Sequence, residues 1–60
     1  MTDIRKIITA ELKEYANDRS DENKGYAMGI ITGAYYSQAI TAAEYAKYMT
    51  AVAKIRKEVV

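Results

Sequence analysis

Any acid–base chemistry in this chain has to come from tyrosine, lysine and carboxylates, because its 60 residues include no His and no Cys. The imidazole base that activates a serine, the thiol nucleophile and the soft metal ligands are therefore missing. Oxygen ligands gather once, at Asp18, Ser20, Asp21 and Glu22. A calcium loop beginning at Asp18 needs Gly at its sixth position and Glu at its twelfth, where this chain has Asn23 and Gly29. The same cluster suits a helix boundary, with Ser20 as N-cap and two carboxylates in the first turn. No catalytic residue, metal site or cofactor is expected, and the chain reads as non-enzymatic.

The other concentration of chemistry is basic. Lys47, Lys54, Arg56 and Lys57 fall in the last third of a chain whose net charge is only +1. Four cations per chain give salt-sensitive, unspecific attraction to phosphates, but no row of Asn, Gln or Arg is aimed at base edges. A solvated helix face is the preferred reading. A nucleic-acid-associated helical dimer using this face is the alternative. Between Gly25 and Ala43 there is no charge at all. That stretch approaches the ~20 residues needed to cross a bilayer, yet Thr32, Ser37, Gln38, Thr41 and three Tyr make it too polar to insert alone. Met1 to Lys6 has no apolar run behind its charges, so no secretory signal is expected and the cytoplasm is the default setting.

The elements that must position these groups are helices. Proline is absent and the three Gly lie in one segment, so strand and turn punctuation is missing. The pattern predicts an all-α, single domain over residues 1–60, with three short helices at about 3–17, 21–38 and 42–58 in a small bundle or hairpin. Ile4, Ile7, Ile8, Leu12 and Tyr15 form an apolar stripe on the first helix, and Tyr45, Tyr48, Met49, Val52, Ile55 and Val59 form one on the third. The polar run from Asn17 to Asn23 separates helices one and two, although their apolar phase would also permit one continuous rod. Thr41-Ala42-Ala43-Glu44 is a capping box, with Ile40 before it as a staple residue against Tyr45.

The middle helix is unusual. Gly25, Gly29, Gly33 and Ser37 recur every four residues, and each Gly costs a helix interior about 1 kcal/mol relative to Ala. Close approach of another helix backbone would compensate. Tyr26, Tyr36 and Ile40 are expected to border that contact. Ala27, Ile31 and Ala34 lie opposite, so the helix is apolar all round and calls for burial all round. Half of the residues are hydrophobic, but ten of those thirty are Ala and six are Tyr. A domain this short buries only ~60% of its unfolded surface. Completion by a homodimer or higher oligomer is therefore expected.

The run Tyr36-Ser37-Gln38-Ala39-Ile40-Thr41-Ala42-Ala43-Glu44-Tyr45-Ala46-Lys47 resembles the turn of the short C-terminal helical hairpin family called SHOCT. It departs at Ala39, where that family usually has Gly. The resemblance covers residues 36–47 and implies a self-association or docking element with no catalytic residues. In format the chain is similar to the small all-helical accessory proteins of bacteriophages, which commonly bind one host protein as inhibitors or regulators. The expected partners are thus a second copy of the chain and another protein.

Overall fold

A computed structural model describes residues 3–57, with the side chain of Lys57 excepted. It contains three helices: α1 (Ile4–Asn17), α2 (Asp21–Tyr36) and α3 (Ala42–Lys57). They form a small bundle in which α2 packs against both neighbours, and no strand occurs among the described residues. The expected all-α class and the three-helix order hold. Glu58 and Val59, which the sequence placed at the end of the third helix, lie outside the described residues.

Each break between helices is fixed by local hydrogen bonds that the sequence encodes. Asp3 caps α1, its carboxylate accepting from the Arg5 amide at 2.9 Å. At the other end the Asp18 amide donates to the Glu14 carbonyl, and the extended backbone of Asp18 ends the helix. Ser20 caps α2 by accepting from the Asn23 amide at 3.1 Å, while Asn23 Nδ2 donates to the Asp18 carbonyl at 2.9 Å. Asp21 and Glu22 occupy the first turn of α2, where carboxylates complement the helix dipole. The oxygen cluster is thereby absorbed into one helix end and the next helix start. α1 and α2 are separate helices rather than one rod.

The α2–α3 connection combines two motifs. The Ala39 amide reaches back to the Ala34 carbonyl at 2.8 Å and the Gln38 amide to Tyr35 at 3.0 Å, a Schellman stop with Gln38 at φ 63°. This stop ends α2 at Tyr36, two residues earlier than the spacing predicts, and leaves Ser37 as the cap, its hydroxyl donating to the Ala34 carbonyl. The capping box then starts α3. The Thr41 amide donates to Glu44 Oε1 at 2.9 Å and the Glu44 amide donates to Thr41 Oγ1 at 3.1 Å. Across the turn the rings of Tyr35 and Tyr45 lie 4.6 Å apart.

The core consists of Ile8, Tyr15, Ala27, Ile31, Ala34, Ile40 and Val52. Ile4, Leu12, Met28, Ile30, Tyr45, Tyr48, Met49 and Ile55 pack around it. One member of the expected α1 stripe leaves it: Ile7 is exposed. Its side chain is turned about 100° from Ile8, past the edge of the face that meets α2. A long-range tie joins α1 to the start of α3, where Arg5 Nε and Nη2 donate to Glu44 at 2.6 and 2.9 Å. The fork geometry is bidentate, the form in which guanidinium and carboxylate match best.

Candidate interaction surface

The outer side of α2 carries the feature singled out by the sequence. Ala27, Ile31 and Ala34 point into the core, so the residues on the far side of the same helix turn to solvent. Those residues are Gly25, Gly29 and Gly33, all exposed. A Cβ placed on any of the three would meet no neighbouring atom within 4 Å. Nothing among the described residues therefore requires glycine at these positions. Tyr36 and Tyr26 flank the strip at 77% and 57% exposure. The hydroxyl of Tyr26 leans toward Glu22 Oε1 at 3.5 Å. No charged side chain interrupts the face between Gly25 and Tyr36.

Two expected members of this surface sit elsewhere. Ile40 is only 4% exposed and belongs to the core. Its assignment to the border of the glycine strip assumed that the helical phase of α2 runs on, whereas the Schellman stop reverses the chain and sends Ile40 inward. Ser37 is exposed but lies one residue past the helix, its hydroxyl occupied by the Ala34 carbonyl. The strip proper is three glycines and two tyrosines.

No significant match to this chain is found among known protein families, curated proteins or solved structures.

The basic set on α3 also divides. Lys47 and Lys54 are exposed together on the side away from the core. Arg56, two residues beyond Lys54, is rotated by about 200° and lines a groove between α2 and α3 instead. Lys57 lies at the margin of the described residues, and its side chain is outside them. The expected four-cation face is therefore not one surface. A second shallow depression on α1 is bordered by Arg5, Lys6 and Lys13, but Arg5 there is held by Glu44.

Among the described residues, the Arg5–Glu44 pair is the site with strongly shifted acidities. The guanidinium hydrogen bond, followed by the Thr41 amide, holds the Glu44 carboxyl down to about 2, and Arg5 is pushed further up by the same carboxylate. Both groups are solvent-accessible and already satisfied, so the pair ties the fold and offers no acid or base for catalysis. Sequence reading found Glu44 only as a capping residue. Its partner is 39 residues away, and no local pattern encodes that contact.

No group of three or more carboxylates that could hold a metal ion occurs among the described residues, and no helix there is long and apolar enough to cross a membrane.

Proposed function

We propose that this chain is a non-enzymatic interaction protein that pairs with a second copy of itself through the outer face of α2 and, so assembled, binds another protein. One observation carries the reading. Three glycines weaken α2 by about 3 kcal/mol relative to alanine, and no contact among the described residues needs their small size. Compensation by a second helix backbone lying along the strip makes sense of that cost, with Tyr26 and Tyr36 supplying ring area and hydroxyls at its margins. An uncharged face is self-complementary, as an isologous two-fold contact requires. The likeness of residues 36–47 to SHOCT hairpins and the format shared with phage accessory proteins make an inhibited or regulated cytoplasmic host factor the partner to seek.

The test is a comparison of solution mass with stability for Gly29→Leu and Gly33→Leu. A Cβ at either position meets no neighbouring atom within 4 Å, and both positions are exposed, so the reading predicts monomers that remain helical. Unchanged oligomeric mass in both variants, or a monomeric parent chain at high concentration, removes the strip as the contact.

A further inference from the structure

We propose that the groove between α2 and α3 binds a single-chain anionic amphiphile: a fatty acid whose carboxylate meets Lys24 and Arg56 while its alkyl chain lies along Met28, Met49, Val52 and Ala53. The groove is open to solvent along its outer side and has a volume of about 500 Å³, within the roughly 300–1,000 Å³ usual for small-molecule sites. Its floor is apolar, and two flexible methionines give it the adaptability that suits an alkyl chain. It lies on the flank of α2 that faces α3, away from the glycine strip, so it is independent of the dimer reading.

Polarity along the groove selects the ligand class. α2 and α3 are joined by the turn at residues 37–41 and run antiparallel. Lys24 lies 12 residues before the end of α2 and Arg56 lies 14 residues after the start of α3. At 1.5 Å per residue, both cations stand about 18–21 Å from the turn, at the same open end of the hairpin. Met28 and Met49 lie about 10–12 Å from the turn by the same measure, deeper along the groove. One end is thus doubly cationic and the other is apolar, the pattern of a molecule with a single charged head and a tail. A partner helix would instead present polar flanks along both sides of its apolar stripe.

Neither Lys24 nor Arg56 is ion-paired among the described residues, in contrast to Arg5. Asp21, one turn before Lys24, is exposed and does not line the groove. Pairing a carboxylate with both cations beside an apolar wall gives charge-assisted hydrogen bonds a drier setting than open water.

Calorimetric titration of the full chain with dodecanoate, below the concentration at which it forms micelles, tests the proposal. The expected result is saturation at one dodecanoate per chain. Affinity should fall at least tenfold in Lys24→Glu and in Arg56→Glu, with circular dichroism unchanged. Acetate and dodecyltrimethylammonium should give no saturable heat. Absence of saturation by dodecanoate overturns the proposal, as does an affinity within threefold of the parent in both charge-reversed variants, or equal binding of the cationic surfactant. An acidic amphipathic helical peptide that saturates the chain with the same Arg56 dependence, where dodecanoate does not, also overturns it and assigns the groove to a protein.

Discussion

The two faces of α2 are built from the same turns of helix and have opposite characters. On the inner face Ala27, Ile31 and Ala34 are buried, and Ile31 is 0% exposed. Small alanines there let α1 and α3 come close, and the isoleucine fills the space between them. On the outer face Gly25, Gly29 and Gly33 stand open. The inner face explains its own residues: each is small or branched because something packs on it. The outer face has residues as restrictive as those of the inner one, and none of the described residues rests on them. A helix whose exposed side had only to be soluble would carry Lys, Glu and Gln, which cost the helix less than Gly. The difference between the faces is the observation on which the proposed self-contact rests.

Substitutions on the two faces should behave differently in kind. The largest effect belongs to the inner face: Ile31→Ala is expected to cost about 2–5 kcal/mol in chemical denaturation, because the side chain is fully enclosed and its neighbours are fixed on three helices. Gly29→Ala and Gly33→Ala on the outer face should have two opposed effects. Each raises the intrinsic stability of α2 by about 1 kcal/mol, since a Cβ there meets nothing in the chain. On the proposed pairing, each also holds the two α2 backbones apart and weakens association. Denaturation at micromolar and millimolar concentration separates the two effects, because only the association effect depends on concentration. A stabilisation that is the same at both concentrations would make the outer face ordinary solvated surface.

Smaller effects sharpen the contrast by touching the frame that holds both faces in place. Gln38 adopts a left-handed backbone at φ 63°, so Gln38→Gly should stabilise the chain by about 0.5–1 kcal/mol with no change in oligomeric mass. The smallest concerns Glu44. Its folded carboxyl sits at about 2 against an ordinary 4.5. The unfolded chain therefore takes up the proton first, and the stabilisation is full above about pH 4.5 and is lost as pH falls toward 2. Thermal melts across that window should show a decline that Glu44→Gln flattens, leaving the behaviour of the glycine strip untouched.

Much of the frame was legible in the sequence, because helix ends are written locally. Ser20 with two following carboxylates, and Thr41 with Glu44, mark their breaks by hydrogen bonds that span at most three residues. Positions past a break were not legible. Ile40 was placed by extending the phase of α2, and a left-handed Gln38 is a choice that local preference gives little hint of. Arg56 was grouped with Lys47 and Lys54 by proximity in the chain, although about 100° per residue puts it on another side of α3. The Arg5–Glu44 bridge and the groove between Lys24 and Arg56 arise from tertiary packing, which no spacing rule supplies.

Sedimentation equilibrium of the parent chain beside Gly29→Leu and Gly33→Leu tests the central claim most directly, with helicity recorded on the same samples. The account predicts a parent of at least twice the single-chain mass and two variants at the single-chain mass that are still helical. A parent that stays at single-chain mass into the millimolar range, or variants that keep the parent's mass, would contradict it.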